Sequence, residues 1–209
     1  LMEDYGVHLI LALLDLSAGF DTVDHAVLLS TLEHLVGLGG MVLNWFSSFL
    51  RNRTISVIID DFSSDTAHLT SGIPQGSTLA PLLFSLYMSP LALIISRHNV
   101  HFHFYTDGIQ IYMPLVSSDP NALTPLYDFI RDIKIWLAQN FLHLNENKTE
   151  YIFITPDPAA GVSSLSAPAL KNLGVIFDTG FDFDKEIRAV VKTSFFHLKL
   201  LTKVKPFFS

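Results

Sequence analysis

One short stretch decides the fold of this chain, Phe104-Tyr105-Thr106-Asp107-Gly108. Alternating apolar residues flank it at 100–105 and 109–113, a pattern that predicts a β-hairpin. Asp-Gly is a favoured hairpin dipeptide because both residues tolerate positive φ. Taken alone, the stretch predicts an ordinary hairpin tip that carries one carboxylate.

A second carboxylate follows an apolar run near the start of the chain. Residues 7–14 are almost continuously apolar and end at Asp15, which is typical of a buried strand. Such a carboxylate lies at an exposed strand end, pairs with a cation or binds a metal. If the hairpin lies beside this strand, Asp15 and Asp107 converge at one edge of the sheet, as oxygen ligands suited to Mg²⁺ or Mn²⁺. If they lie on opposite faces, this interpretation fails.

The remaining pattern predicts an α+β fold with a mostly antiparallel sheet. Apolar periodicity and capping signals predict helices at 26–36 (with Asp24 as N-cap), 41–50, 79–96 (kinked or broken at Pro90), 123–142 and 185–203. Strands are predicted at 54–59, 150–155 and 170–177, and a loop at 156–168.

Composition narrows the functional classes. The chain has 209 residues with 49% apolar residues, enough for a sizeable core. It has no cysteine, which excludes disulfides and thiolate metal sites. No apolar run approaches the length of a membrane span, so no membrane partner is predicted. The formal net charge of −7 argues against general nucleic-acid binding.

Basic residues nevertheless concentrate near the end of the chain. Those with helical spacing along one face are Arg188, Lys192, Lys199 and Lys203. Such a stripe is either a solvated helix face or a surface that follows a phosphate backbone.

Two other segments carry candidate polar groups. Gly72-Ile73-Pro74-Gln75-Gly76-Ser77 precedes a predicted helix. The segment is either an ordinary loop before a helix or a nucleotide site, in which its glycines allow close approach to a phosphate or base and Gln75 offers an amide. Lys148 precedes the strand at 150–155 and is either a solvated turn lysine or a proton donor near a triphosphate. His101 and His103 alternate along a strand, which predicts a half-exposed face and not a metal site.

Taken together and in order, these segments resemble the reverse transcriptase domain of non-LTR (LINE-type) retrotransposons. The resemblance runs from about residue 7 to residue 205, through residues 14–25, 72–84, 104–108, 144–150 and 171–178. It implies a right-hand polymerase palm, with an antiparallel sheet backed by helices and the start of a thumb helix. Residues 1–209 would form one domain, with a palm core at about 7–155 and the connection and thumb start at 156–209. Most of the fingers and thumb would be missing.

The resemblance also implies roles for individual residues. Asp15, the backbone carbonyl of Leu16 and Asp107 would bind metal. Phe20 would lie under the incoming sugar and select deoxynucleotides, while Gln75 and Gly76 would line the nascent base pair. Lys148 would approach the triphosphate. The implied partners are an RNA template, a DNA primer and deoxynucleoside triphosphates, and the basic stripe would touch the primer–template backbone.

One departure from the family pattern affects the expected activity. Gly108 stands where such polymerases carry a second hairpin aspartate, and Thr106 replaces the usual alanine. The sequence therefore predicts an impaired RNA-directed DNA polymerase. The alternative is an inactive nucleic-acid-binding or interaction module that keeps the palm fold.

Overall fold

The computed structural model describes residues 8–98, 100–105, 108–115, 123–154 and 167–204. The described residues divide into two compact units. One contains residues 8–13, 111–115, 150–154 and 167–204, and the other contains 14–98, 100–105, 108–110 and 123–149. Thr106, Asp107 and nearly all of the predicted loop at 156–168 lie outside the described residues.

The helices and strands alternate irregularly along the chain. The helices are α1 (His25–His34), α2 (Gly40–Leu50), α3 (Ala80–Met88), α4 (Leu91–Ile95), α5 (Thr124–Gln139) and α6 (Asp184–Val204). The strands are β1 (His8–Asp15), β2 (Thr54–Ile55), β3 (Ile58–Ile59), β4 (Phe62–Ser63), β5 (Ala67–His68), β6 (His101–Tyr105), β7 (Gly108–Leu115), β8 (Glu150–Ile154), β9 (Ala169–Asn172) and β10 (Val175–Asp178).

The main sheet has the strand order β6-β7-β1-β8. Strands β1 and β8 are antiparallel, with Leu9 opposite Ile154 and Leu13 opposite Glu150. Strand β7 of the hairpin lies beside β1. This is the strand order on which the expected convergence of Asp15 and Asp107 depends. Alternate residues of β1, including Ile10 and Leu14, are buried, and their neighbour Leu11 packs in a second apolar cluster. Burial of both strand faces explains the continuous apolar run before Asp15.

Two strand predictions were wrong in detail. The predicted strand at 54–59 is interrupted, because β2 pairs with β5 whereas β3 pairs with β4. These short strands are exposed and have no buried face that would hold one long ladder. The predicted strand at 170–177 is a hairpin of β9 and β10, since Leu173 and Gly174 adopt φ of 49° and 93° and form the tight turn that such angles favour.

Most helix predictions were confirmed. The Asp24 carboxylate caps α1 by accepting hydrogen bonds from the backbone N–H groups of Ala26 (2.8 Å) and Val27 (2.9 Å). The long helix predicted at 79–96 is broken into α3 and α4 at Ser89-Pro90, because proline cannot donate its backbone hydrogen bond.

Helix α6 begins just after β10. Oδ1 of the buried Asp178 accepts hydrogen bonds from the backbone N–H groups of Asp182 (3.0 Å) and Phe183 (3.3 Å), which orders the turn before the helix. No residue of α6 is buried. None of the helices in the described part of the chain has the length and apolar character needed to cross a bilayer.

Candidate active site

Asp15 and Lys148 lie together in the second compact unit. Lys148 is the last residue of a 3₁₀ turn, Glu146–Lys148, and its Nζ lies 3.4 Å from Asp15 Oδ2. This oxygen is buried and accepts no hydrogen bond from any described residue. The Lys148 side chain is 69% exposed, so the ion pair by itself contributes little to stability. A buried carboxylate oxygen that lacks a hydrogen bond is a suitable ligand for a hard cation.

The backbone next to Asp15 is oriented by the segment that precedes Lys148. The N–H of Asn145 donates to the Asp15 carbonyl at 2.8 Å, and the N–H of Ser17 donates to the His143 carbonyl at 2.8 Å. These bonds flank the bridge between Leu16 and Leu144, which makes this a non-hydrogen-bonded antiparallel pair. The carbonyl of Leu16 therefore points away from Leu144 and is free of that ladder.

The loop that contains Gln75 is hydrogen-bonded to the loop that follows Asp15. Backbone N–H groups of Gly72 and Ile73 donate to the carbonyls of Val23 and Phe20, each at 2.8 Å. Nε2 of His25 lies 2.8 Å from the Gly72 carbonyl oxygen. These hydrogen bonds join two chain segments that are separate motifs in the sequence.

Gly72 is required for this close approach. It adopts φ +88°, and a Cβ there would lie 2.9 Å from the backbone oxygen of Asp21. Gly76 also has positive φ, at +80°, but a Cβ there would meet nothing within 4 Å. The two glycines of this loop therefore serve different purposes: Gly72 permits contact, whereas Gly76 only permits a turn.

A cavity of about 360 Å³ lies between these two segments. It is lined by Ala18, Gly19, Phe20, Gln75, Gly76, Ser77, Ala80 and Pro81. The ring of Phe20 stacks on the fully buried Phe84, with ring centroids 4.7 Å apart. This stack fixes one wall of the cavity, so three of the nucleotide-binding residues suggested by the sequence lie around one space.

Not every predicted site residue joins this group. Asp107 lies outside the described residues, and among those described no three Asp, Glu or His side chains cluster as a metal site. The four basic residues of α6 lie in the other compact unit, and Arg188 donates to Asp184 at 3.1 Å. His101 and His103 are exposed on β6.

The backbone at position 108 does not require glycine. Gly108 is the first residue of β7 and is absent from the described residues with positive φ. A Cβ there would meet only the Tyr105 carbonyl oxygen, at 3.4 Å, which is ordinary contact. Among the described residues, the backbone at this position therefore has room for a Cβ.

Sequence reasoning missed Asp21 and Tyr87. Asp21 looked like a turn residue, but its Oδ1 accepts a hydrogen bond from Gln75 Nε2 at 2.8 Å. Tyr87 looked like one apolar residue among many, but its hydroxyl donates to the Asn140 carbonyl at 2.6 Å and lies 3.4 Å from the Asp24 N–H. Burial raises the pKa of Tyr87 to about 12. Neither contact has a local sequence signal, because the partners lie 53 or more residues apart.

Comparison with known proteins identifies the family. The family description "Reverse transcriptase (RNA-dependent DNA polymerase)" matches residues 3–177. The RNA-directed DNA polymerase from mobile element jockey of Drosophila melanogaster is 35% identical over 188 residues, which cover 84% of this chain and 20% of that protein. The probable RNA-directed DNA polymerase from transposon BS of the same organism is 24% identical and is matched over 90% of this chain and 22% of its own length. The chain thus spans about a fifth of the length of these relatives.

Solved structures support the palm fold. A telomerase from Candida albicans, in complex with a TWJ fragment of telomeric RNA, matches 87% of this chain and 32% of its own with a TM-score of 0.62 and 15% identity. An apo telomerase from Candida tropicalis, truncated from its C-terminal domain, matches 85% of this chain and 35% of its own with a TM-score of 0.60 and 13% identity. At these identities the likeness concerns the fold alone, a partial polymerase palm. The chain belongs to the reverse transcriptase family, and its relatives are the polymerases of non-LTR retrotransposons.

Proposed function

We propose that this chain is the palm of an RNA-directed DNA polymerase that extends a DNA primer on an RNA template by two-metal nucleotidyl transfer. The observation that carries the proposal is Asp15, whose buried Oδ2 accepts no hydrogen bond from a described residue and lies 3.4 Å from Lys148 Nζ. Family membership supports the reaction class. The template, primer and deoxynucleoside triphosphates are part of the proposal.

The proposed metal ligands are Asp15, the carbonyl of Leu16 and Asp107. The Asp15 oxygen, which accepts no hydrogen bond from a described residue, fits Mg²⁺ or Mn²⁺, which prefer oxygen ligands. When bound, two such ions would activate the primer 3′-hydroxyl and stabilise charge on the leaving pyrophosphate.

The chain's own side chains have distinct proposed tasks. Phe20, held by its stack on Phe84, closes the cavity where a ribose 2′-hydroxyl would lie. Gln75 and Gly76 line the same cavity. Lys148 is within reach of the site and can donate a proton to the leaving group.

The first test is direct metal binding by the 209-residue chain. Mn²⁺ is titrated into the parent, an Asp15→Ala variant and an Asp61→Ala control, which removes an exposed carboxylate elsewhere. We expect saturable binding that Asp15→Ala weakens at least tenfold and Asp61→Ala leaves unchanged. Identical titrations of the parent and Asp15→Ala would contradict the proposed site.

Gly108 supports a second candidate, an inactive nucleic-acid-binding module. The helix α6 presents Arg188, Lys192, Lys199 and Lys203 along one exposed face. If this face follows a phosphate backbone, replacing all four residues with glutamine will weaken binding to an RNA–DNA duplex and reduce the salt slope by about 3 to 4. Duplex binding with no primer extension, even after Gly108→Asp, would favour this candidate.

A further inference from the structure

The contact between Asp21 and Gln75 points to a residue that acts on the nucleotide cavity from outside it. Gln75 lines the cavity, but Asp21 does not. Oδ1 of Asp21 accepts the hydrogen bond from Gln75 Nε2 at 2.8 Å. This hydrogen bond links the Asp21 carboxylate to a residue of the cavity lining.

The chemistry of this contact fixes which way the Gln75 amide faces. An ionised carboxylate can only accept hydrogen bonds, so it must face the amino end of the amide. The amide oxygen Oε1 is then turned away from Asp21, and no described residue is found to donate to it. A glutamine held in this way presents an acceptor, whereas a freely rotating one would present either end.

The backbone of Asp21 is itself held rigidly. Its N–H donates to the Ala18 carbonyl at 2.9 Å, and its carbonyl accepts from Ser71 Oγ at 3.2 Å. Gly72 packs directly against that same carbonyl. These contacts hold the backbone from which the Asp21 carboxylate reaches the Gln75 amide.

We propose that Asp21 is a positioning residue for nucleotide binding, which holds Gln75 so that Oε1 accepts a hydrogen bond from a donor group on the bound nucleotide. The proposal rests on the proposed function, because it assumes that a nucleotide occupies the cavity. Its structural half, that Asp21 orients Gln75, holds whether or not the chain is active.

The structural half is tested by NMR of the ¹⁵N-labelled 209-residue chain. The side-chain NH₂ signal of Gln75 is assigned by its disappearance in a Gln75→Leu variant. We expect Asp21→Ala to move this signal to the position of a free amide and Asp21→Asn, which keeps an acceptor oxygen, to preserve it. Asp61→Ala serves as the control. A Gln75 signal that does not change in Asp21→Ala would overturn the proposal.

The functional half is tested by steady-state primer extension in a longer chain that carries Gly108→Asp. Asp21→Ala should raise KM for the deoxynucleotide about tenfold, as expected for the loss of one charge-assisted hydrogen bond. It should change kcat by less than about threefold, and Asp21→Asn should restore KM. An unchanged KM in Asp21→Ala would overturn the nucleotide role.

A double variant that exchanges the carboxylate and the amide tests the contact separately from the chemical group that faces the nucleotide. In the double variant Asp21→Asn with Gln75→Glu, the amide and the carboxylate exchange places, so the contact can form again. NMR should show an ordered side-chain amide at position 21, while KM should stay high because a carboxylate now faces the triphosphate. A disordered amide at that position would count against the positioning role. If no variant extends primers, the proposed function fails, and the NMR result alone decides whether Asp21 orients Gln75.

Discussion

The ammonium nitrogen of Lys148 lies 3.4 Å from Oδ2 of Asp15, an oxygen that accepts no hydrogen bond from any described residue. These residues are far apart in the sequence and meet because residues 143–145 bond to the backbone around Leu16. The pair brings a cation to the carboxylate that is proposed to hold metal. A metal ion and Lys148 therefore compete for the same oxygen.

Because of this competition, replacing Lys148 should raise the affinity for metal but lower the rate of primer extension. Lys148→Gln should raise Mn²⁺ affinity about two- to fivefold, since a largely exposed ion pair opposes metal binding by at most about 1 kcal/mol. In a chain active in primer extension, the same change should lower kcat by about 10² to 10⁴, because a proton donor is lost. Lys134→Gln is the matched control, since Lys134 pairs with Glu146. Weaker Mn²⁺ binding in Lys148→Gln would show that Lys148 supports the metal site.

Restoring the missing carboxylate should increase activity. Gly108→Asp adds a side chain where a Cβ meets only the Tyr105 carbonyl oxygen at 3.4 Å, so the hairpin should tolerate it. We expect primer extension to rise on the order of a hundredfold, which is about 2.7 kcal/mol of barrier. Gly108→Asn, of similar size but uncharged, is the control. Equal rates for the glycine and aspartate forms would show that Gly108 is not the cause of impairment.

Gly72 and Gly76, the two glycines of the loop that contains Gln75, should lose different amounts of stability when each is replaced by alanine. Gly76→Ala should cost about 1 to 2 kcal/mol, because only its positive φ is disfavoured. Gly72→Ala should cost about 2 to 4 kcal/mol, because its Cβ also meets the Asp21 backbone oxygen at 2.9 Å. Urea unfolding of both variants measures the difference in the free energy of unfolding. Equal losses would mean that the contact with Asp21 relaxes without cost.

Tyr87 should make stability depend on pH at the alkaline end. Its folded pKa of about 12 lies above the ordinary value of about 10, so the neutral phenol is favoured in the folded state. This contribution is complete below pH 10 and is lost as the pH rises towards 12, by roughly 2 kcal/mol. Tyr87→Phe should remove the dependence and cost about 1 kcal/mol at pH 7. Thermal unfolding across this pH range measures it.

The control for that experiment is Tyr127→Phe, which alters an exposed tyrosine of α5. It should leave both the stability at pH 7 and the alkaline loss unchanged. A parallel alkaline loss in Tyr87→Phe and the parent would show that other groups control it.

The sequence predicted the elements whose signals are local. Burial on both faces makes β1 a continuous apolar run, Asp24 caps α1 within three residues, and Pro90 breaks its helix by lacking an N–H. The ordered motifs also determined the family, because each keeps its residue types and spacing in the chain. Local signals failed at β9 and β10, where a non-glycine residue, Leu173, adopts positive φ.

Only the tertiary structure determined which residues of these motifs contact one another. Three contacts join residues that are far apart in the chain. They are the ion pair of Asp15 with Lys148, the hydrogen bond from Gln75 to Asp21 and the hydrogen bond from Tyr87 to Asn140. Such contacts depend on where the packed backbone places each side chain, and no periodicity or propensity encodes that distance. The same holds for Gly108: the sequence placed it where the polymerases it resembles carry an aspartate, and only the backbone angle showed that glycine is not required there.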